Sequence, residues 1–274
     1  MGLIVEPVIY NTFPIEIQAY LSEAEVTVVK KTARSSVYHM KNQSHDVFLK
    51  VTPKEQMQRE AIMTSYLHHK GICPSVLHYS SNDSNDYLVT DRIPGSHAAS
   101  DEFIAHPEHL CDVFAESLLH LHQIAHTDCP ITNGLEEMFI RAERKYREGK
   151  AEKSLLQYMG YTSSETAYKD MVFLYKHAIE DKVIIHGDYC LPNLILQDNK
   201  RNGYIDVGYG GVGDRHYDIF WALWSLQFNL KSADYANRFM KAYGEHVIDQ
   251  NRLRLCGLLS VFNGFRGQDY YIQN

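Results

Sequence analysis

The chain has 274 residues, of which 45% are hydrophobic and 22% charged, and its formal net charge at pH 7 is −7. This length is enough to bury a sizeable core, in one large domain or in two lobes. The acidic balance argues against a nucleic-acid-binding protein, whose binding surface would be basic, and is compatible with a cationic small-molecule partner.

The cysteines and the N-terminus predict a soluble, cytoplasmic protein. Five cysteines are scattered along the chain without a CxxC pair, which is typical of reduced thiols. The opening MGLIVEPVIYN lacks the basic and apolar regions of a secretory signal. No apolar run approaches the roughly 20 residues that a membrane span needs. We expect no membrane partner, and the sequence leaves open whether the chain is a monomer or a homodimer.

The first ninety residues are rich in predicted strands. VTVVKK (26–31) and DVFLKV (46–51) have β-type composition and are joined through SSVYHM and a polar turn. Residues 54–71 have helical spacing that stops at Gly71, and 75–91 form a hairpin whose Asn and Asp residues supply the turn. The pattern predicts a β-rich lobe over 1–92.

After the Pro-Gly pair at 94–95 the pattern becomes helical. Apolar residues at helical spacing cover 106–124, 136–161, 163–181, 217–230 and 233–246. The aromatic-rich WALWSLQF is expected to be a buried helix. We therefore predict a helical lobe over 93–274.

Polar residues interrupt an apolar stretch at VIIHGDYCLPNLIL (183–196), and IDVGYGG follows at 205–211. Asp188 and Asn193 lie on one short loop between two predicted strands. A tight turn over 197–203 would then bring Asp206 back close to Asn193. Amide and carboxylate oxygens suit Mg²⁺, and Asp188 is left to accept a proton. A base beside a metal clamp is the arrangement used for phosphoryl transfer.

The spacing H-x-D-x-x-x-x-N, followed by Asp-x-Gly thirteen residues after the Asn, resembles the catalytic and metal-binding loops of protein kinases. The motifs HGDYCLPN and IDVGYGG resemble those of the aminoglycoside phosphotransferase family, and most of all those of its 3'-phosphotransferase branch. The resemblance implies an α+β, two-lobed protein-kinase-like fold. The lobe over 1–92 would bind the nucleotide, and the lobe over 93–274 would carry the catalytic, metal and acceptor sites. The resemblance also implies transfer of a γ-phosphoryl group from ATP or GTP, with Mg²⁺, to a hydroxyl of an aminoglycoside, as in antibiotic resistance.

Three other interpretations stay open at this point. The acceptor could be a less cationic alcohol, such as a macrolide, a peptide antibiotic or a metabolite. The chain could be a nucleotide-binding pseudoenzyme that transfers nothing. His186, Asp188 and Asn193 could also be no more than a buried polar cluster between strands.

A phosphotransferase must also hold the nucleotide phosphates. Alternation in VFLKV places Phe48 and Lys50 on one face of a strand, and Lys50 would reach the α- and β-phosphates. Glu60, on the following helix, is the natural carboxylate to orient it, as in the lysine–glutamate pair of kinases.

The resemblance implies further contacts with the nucleotide. Phe48 would stack on the adenine, while the carbonyl of Asp91 and the amide of Ile93 would hydrogen-bond its edge. The loop TARSSVY (32–38) would cover the phosphates. Because this loop has no glycine, Ser35 and Ser36 would offer their backbone or hydroxyl donors instead.

Two further sets of residues are assigned structural roles. His122 and His126 have the i, i+4 spacing of a zinc site, but no HExxH pattern or third ligand accompanies them, so a packed or solvent-facing helix is expected there. Asp214 and Asp218 are expected to cap the helix that follows them and to brace the catalytic loop by hydrogen bonds.

The acceptor side departs from the family pattern. The 3'-phosphotransferases hold a polycationic sugar with acidic side chains ahead of the catalytic loop, after the metal motif and at the C-terminus, and those acids are not evident here. Other acids could replace them, namely Glu148, Glu152, Asp234 or Asp269. An aromatic-rich pocket would instead suit a less charged acceptor; its candidate residues are Tyr158, Tyr161, Tyr209, Trp224 and Phe228.

Overall fold

The computed structural model describes residues 13–263, and these divide into two units. The N-terminal unit holds the described residues up to Pro94 together with Gly203–Gly208. The C-terminal unit holds Gly95–Asn202 and the described residues from Tyr209 onward. Asp269 lies outside the described residues. No helix within 13–263 is long and apolar enough to cross a membrane.

An antiparallel sheet forms the N-terminal unit, with the strand order β1-β2-β3-β5-β4. Its strands are β1 (Glu25–Lys31), β2 (Ser36–Lys41), β3 (Asp46–Pro53), β4 (Val76–Ser81) and β5 (Asn85–Asp91). Strand β3 is central, so Lys50 pairs with Val37 on one side and Leu88 on the other. Along β3 the residues Val47 and Leu49 are buried while Phe48 and Lys50 are half-buried, which confirms the predicted alternation.

Two helices accompany the sheet, α1 (Ile15–Leu21) and α2 (Gln58–His69). Helix α1 is not among the predicted elements; its seven residues bury Ile17 and Leu21 in the sheet's core. Helix α2 begins later than the predicted 54, because the buried carboxylate of Asp86 binds the amides of Gln56 and Met57 just ahead of it. Gly71, with φ 75°, follows the end of α2 where a stop was predicted.

The C-terminal unit is mainly helical. Its helices are α3 (Asp101–Ile104), α4 (Pro107–His122), α5 (Leu135–Arg147), α6 (Lys153–Tyr158), α7 (Ser164–His177), α8 (Arg215–Leu230), α9 (Tyr235–Tyr243) and α10 (Gln250–Asn263). The predicted continuous helix over 136–161 breaks at Gly149, whose φ is 70°. Trp221 and Trp224 of α8 pack with Leu258 and Phe262 of α10 in the core, which confirms WALWSLQF as a buried helix segment.

Short strands carry the loops of interest: β6 (Ser96–His97), β7 (Lys182–Ile185), β8 (Leu194–Gln197), β9 (Lys200–Tyr204) and β10 (Gly211–Asp214). The turn between β8 and β9 consists of Asp198 and Asn199, both left-handed with φ 51° and 59°, as in a two-residue hairpin. The predicted turn over 197–203 is therefore too long. Strand β9 ends at Tyr204, so Asp206 follows the strand and does not lie within it.

Candidate active site

The N-terminal unit brings two carboxylates together around the ammonium of Lys50. The ammonium of Lys50 on β3 donates hydrogen bonds to Oε1 and Oε2 of Glu60 on α2, at 2.9 and 2.7 Å. It also pairs with Oδ1 of Asp206 in the segment after β9. Two carboxylates on one ammonium hold Lys50 in a fixed direction.

Electrostatics within this cluster keep the lysine charged. Burial alone would lower the pKa of Lys50, but the charges of Asp206 and Glu60 raise it well above its usual value. Burial raises the pKa of Glu60, with the charge of Asp206 adding to that effect and Lys50 opposing it. The ammonium is therefore available as a permanent cation for phosphate oxygens.

The backbone of the Asp-x-Gly segment is shaped for close packing. Asp206 has a left-handed φ of 64°, a conformation that costs a non-glycine residue energy and that clusters at functional sites. At Gly208 an added Cβ would lie 3.2 Å from Cβ and Oε2 of Glu60. The glycine therefore allows the segment to pass directly beside the glutamate.

Asp86 has a role in this unit that the sequence pattern does not predict. The hairpin turn is supplied by Asn82, as the composition indicates, and its Oδ1 accepts the amide of Asn85 at 2.8 Å. Asp86 lies in β5 and is fully buried. It accepts from the Ser81 hydroxyl at 2.7 Å and from the amides of Gln56 and Met57 at 2.9 Å. It thereby ties the start of α2, the helix of Glu60, to the sheet.

The residues expected to bind the adenine ring of the nucleotide lie at the end of the same sheet. Phe48 shares a face of β3 with Lys50, and its ring stacks on His39 with centroids 4.8 Å apart. The amide of Asp91 donates to the carbonyl of Ser75 at 3.1 Å. Of the two backbone groups of Asp91, the carbonyl is therefore the one that can accept a hydrogen bond from a ligand. The side chain of Ile93 packs against Gly203, where an added Cβ would lie 2.6 Å from Cδ1.

The loop between β1 and β2 is closed by its own side chains. The amide of Ser35 donates to the Thr32 hydroxyl at 3.0 Å, and the amide of Thr32 donates to the Ser35 carbonyl at 2.8 Å. Ser36 already begins β2 and pairs with Lys31. The backbone donor expected from Ser35 is thus engaged within the loop, and its hydroxyl lies 3.5 Å from the hydroxyl of Thr32.

The C-terminal unit positions Asp188 and Asn193 on the loop between β7 and β8. Asp188 is buried, with 7% of its surface exposed. Nδ2 of Asn193 donates to the carbonyl of Asp188 at 2.9 Å and to its Oδ2 at 3.2 Å. Because the amide nitrogen faces Asp188, the amide oxygen Oδ1 faces the other way and is the atom able to bind a cation.

Asp218 on α8 braces this loop, as the sequence predicted. Its Oδ2 accepts the amide of His186 at 2.6 Å and its Oδ1 accepts that of Gly187 at 2.8 Å. Gly187 has φ 79°, and an added Cβ would lie 2.1 Å from the carbonyl oxygen of Tyr209. Asp214 caps α8 instead, by accepting the amide of His216 at 2.9 Å.

The acids considered for a cationic acceptor are engaged elsewhere in the C-terminal unit. Glu148 pairs with Lys145 and Lys150, at 3.6 and 2.8 Å. Glu152 caps α6 and is 7% exposed, while Asp234 accepts from the hydroxyl of a neighbouring serine at 2.8 Å.

Most of the aromatic candidates pack into the same unit's core. Tyr161 and Trp224 are buried there, and Tyr158 and Phe228 pack partly buried against them. Tyr209 is 47% exposed.

The donor chemistry fits Mg²⁺ better than zinc. The N-terminal unit has the carboxylate of Asp206 and the C-terminal unit has the amide oxygen of Asn193. Each is a hard donor of the kind that Mg²⁺ takes alongside phosphate oxygens and water. Within residues 13–263, no three His, Cys, Asp or Glu residues gather in a metal-binding cluster. Both ring nitrogens of His122 are engaged in hydrogen bonds, so its pairing with His126 forms no zinc site.

A lysine–glutamate pair beside an Asp-x-Gly aspartate, in a chain that also carries an H-x-D-x-x-x-x-N loop, defines a kinase-like phosphotransferase. The chain belongs to the phosphotransferase enzyme family, whose model matches residues 25–257. It is 33% identical over 250 residues to a probable aminoglycoside 3'-phosphotransferase of Lactococcus lactis, covering 91% of this chain and 95% of that one. It is 30% identical to the aminoglycoside 3'-phosphotransferase of Niallia circulans, covering 89% and 95%.

Solved structures share the fold. An aminoglycoside 3'-phosphotransferase of type VIII superposes with a TM-score of 0.75 at 23% identity, covering 92% of this chain and 95% of that one. An aminoglycoside phosphotransferase from Streptomyces rimosus, in complex with ADP and streptomycin, gives 0.72 at 23%, covering 91% and 99%. The predicted family and the α+β, kinase-like fold are confirmed. The chain is a phosphotransferase that acts on a hydroxyl acceptor.

Proposed function

We propose that the chain phosphorylates the 3'-hydroxyl of an aminoglycoside with the γ-phosphoryl group of ATP, assisted by Mg²⁺. The names of the Lactococcus and Niallia relatives, each matched over 95% of its length, support the acceptor class. The observation that carries the proposal is the pairing of Asp188 with Asn193, because it holds a buried carboxylate beside an amide whose oxygen is free to take a cation.

Asp188 acts as the base or orienting group for the acceptor. Its carboxylate accepts the proton of the substrate hydroxyl as that oxygen forms a bond to the γ-phosphorus, and ADP leaves with the electrons of the broken P–O bond. Asn193 and Asp218 keep the loop and its carboxylate in one orientation. Since the transition state for phosphoryl transfer is loose, positioning and charge neutralisation account for most of the catalysis.

The N-terminal unit supplies the nucleotide contacts. Lys50, oriented by Glu60, binds the α- and β-phosphates, and the hydroxyls of Ser35 and Ser36 face the phosphates from the β1–β2 loop. Phe48 stacks on the adenine ring. The remaining contacts with the adenine come from the backbone at Asp91 and Ile93.

Asn193 Oδ1 and the carboxylate of Asp206 are the ligands that we assign to Mg²⁺. When bound, the ion neutralises charge on the β- and γ-phosphates. Asp206 then has two roles, since its other partner is the Lys50 ammonium.

The test is phosphate transfer by the purified protein with Mg²⁺ and ATP, using kanamycin and its 3'-deoxy analogue as a matched pair. The expected result is a new phosphate-monoester signal in ³¹P NMR with kanamycin and none with the 3'-deoxy compound. A parallel reaction with GTP measures the nucleotide preference. Phosphorylation of both compounds would refute the 3' position, and turnover of neither would refute the aminoglycoside assignment.

A second acceptor class is supported by the engaged acids. Glu148, Glu152 and Asp234 bind groups of the protein itself, so they do not form a ready carboxylate cluster for a polyamine. A less cationic alcohol needs no such cluster. If kanamycin is not a substrate while Mg²⁺ and ATP still raise the melting temperature, a panel of macrolides and peptide antibiotics becomes the next assay.

A further inference from the structure

His122 near the end of α4 is a buried histidine with two hydrogen-bond partners. Its side chain is 1% exposed. Nδ1 lies 2.7 Å from the hydroxyl of Tyr243 on α9, and Nε2 lies 3.2 Å from Oδ2 of Asp218 on α8. The ring therefore joins three helices of the C-terminal unit in one polar network.

The donors in this network run in one direction. Nη1 of Arg215 donates to the Tyr243 oxygen at 3.3 Å. The carboxylate of Asp218 can only accept, so the proton of the neutral His122 ring lies on Nε2 and points at Asp218. Nδ1 then carries no proton and accepts from the Tyr243 hydroxyl.

The network ends on the backbone of the catalytic loop. Asp218 receives His122 and the amide of His186 on Oδ2, and the amide of Gly187 on Oδ1. These two amides directly precede Asp188. A carboxylate that accepts three donors has one orientation, and a group that orients such a carboxylate is often as important to activity as the carboxylate's direct contacts.

We propose that His122 is a positioning residue for the phosphotransfer reaction, which acts through Asp218 to hold the His186–Gly187 backbone and hence the direction of Asp188. The proposal rests on the proposed function in that it takes Asp188 as the group that meets the acceptor. The Tyr243 hydroxyl completes the network because it donates to the ring nitrogen of His122 that carries no proton.

The neutral ring is the working form. Burial lowers the pKa of His122, Asp218 opposes this, and the charges of Arg215 and His216 add to the lowering. A second proton on Nδ1 would face the Tyr243 hydroxyl, whose oxygen already accepts from Arg215. It would convert that hydrogen bond into a contact between two donors unless the hydroxyl turned away.

The experiment compares four variants of the full chain: His122→Leu, His122→Gln, Tyr243→Phe and His216→Gln. Leucine removes the donor to Asp218, and glutamine restores an N–H near the position of Nε2. Phenylalanine removes only the hydroxyl that orients the ring, so it also serves if the leucine variant does not fold.

His216→Gln is the matched control because it alters a second buried histidine–aspartate pair, that of His216 with Asp214 at the start of α8. His216 is fully buried, its Nδ1 lies 2.6 Å from Oδ1 of Asp214, and its Nε2 accepts the amide of Asp249 at 2.9 Å. Neither contact reaches the catalytic loop. If both histidine substitutions lower the stability of the protein, the comparison still distinguishes that loss from a change in the orientation of Asp188.

The first readout is hydrogen exchange of the His186 and Gly187 amides in the free protein, which needs no substrate. We expect the two amides to exchange faster in His122→Leu and Tyr243→Phe than in wild type. The exchange should also be faster than in His216→Gln when the variants are compared under conditions of equal global stability. Equal exchange in all four variants would overturn the proposal. This readout is independent of the acceptor, so failure of the aminoglycoside assignment leaves it intact.

The second readout is steady-state turnover with the acceptor that the wild type uses. We expect kcat to fall about tenfold or more in His122→Leu, the range typical for loss of an orienting partner. The KM for ATP is expected to stay within about twofold. Glutamine should recover most of the loss, and His216→Gln should keep kcat. A leucine variant with wild-type kcat, or a glutamine variant no better than leucine, would contradict the role.

Discussion

Lys50 on β3 and Glu60 on α2 are joined through both carboxylate oxygens, at 2.9 and 2.7 Å. The pair connects the central strand of the sheet to a helix, so the direction of the ammonium depends on where α2 begins. Asp206 is the second carboxylate on the same ammonium. This relationship determines which changes should weaken nucleotide binding.

Glu60→Gln should weaken the binding of Mg²⁺–ATP. Glutamine keeps the size of the side chain but replaces a charge-assisted hydrogen bond, worth about 1.5–3 kcal/mol, with a neutral one. We expect the Kd measured by calorimetry to rise about ten- to hundredfold. Glu25→Gln, at an exposed position of β1, is the control and should bind as wild type. Unchanged affinity in Glu60→Gln would show that the pair does not orient Lys50 for phosphate.

Asp86→Asn should weaken the same binding from a distance. The amide of asparagine has one acceptor oxygen, whereas Asp86 serves the Ser81 hydroxyl and two backbone amides ahead of α2. Leaving a buried donor without a partner costs about 1–3 kcal/mol, which should appear as a lower free energy of unfolding in urea. Nucleotide affinity should fall as well. Asp83→Asn, exposed in the same hairpin, should change neither quantity.

Gly187→Ala tests how tightly the catalytic loop is packed. Gly187 and Gly160 have nearly equal φ values, 79° and 77°, but an added Cβ meets the Tyr209 carbonyl at 2.1 Å at Gly187 and nothing within 4 Å at Gly160. Both alanines carry the left-handed penalty of roughly 1–2 kcal/mol. Only Gly187→Ala should also lower kcat, by about tenfold or more, because the clash would shift the loop and misplace Asp188. Equal kcat values for the two variants would contradict this.

Protonation of His122 should destabilise the protein at mildly acidic pH. Burial lowers its folded-state pKa below 6.5, although Asp218 raises it. Between the folded-state pKa and 6.5 the unfolded chain binds more protons, so stability rises with pH in that window. The contribution is complete above about pH 6.5 and is lost as pH falls through the folded-state pKa. The melting temperatures of wild type and His122→Gln should therefore converge from pH 7.5 to 5, and a constant difference would exclude the effect.

Local patterns account for the parts of the fold that the sequence predicts well. The alternation in β3, the stop of α2 at Gly71 and the apolar α8 each depend on residues within a few positions of one another. The family motif works in the same way, because HGDYCLPN is a single continuous loop. Short elements are harder to predict, because the seven residues of α1 are too few to show a clear helical periodicity of apolar residues.

The supporting residues of the site could not be predicted because their partners are distant in the sequence. Asp86 has the composition of a turn residue, and its amide partners lie 29 and 30 positions away. The spacing of His122 fits either a zinc pair or a packed or solvent-facing helix, and its contact with Asp218 spans 96 positions. The side chains that position a site are identified only when the fold is known.

The most direct test of the account is single-turnover phosphate transfer by Asp188→Asn beside wild type, with Mg²⁺–ATP and kanamycin. Asparagine is close in size to aspartate but does not accept the hydroxyl proton. The account predicts that transfer falls at least a hundredfold, the usual contribution of a positioned base, while the Kd for Mg²⁺–ATP stays within about twofold. Transfer at the wild-type rate by Asp188→Asn would contradict the assignment of the base and, with it, the proposed mechanism.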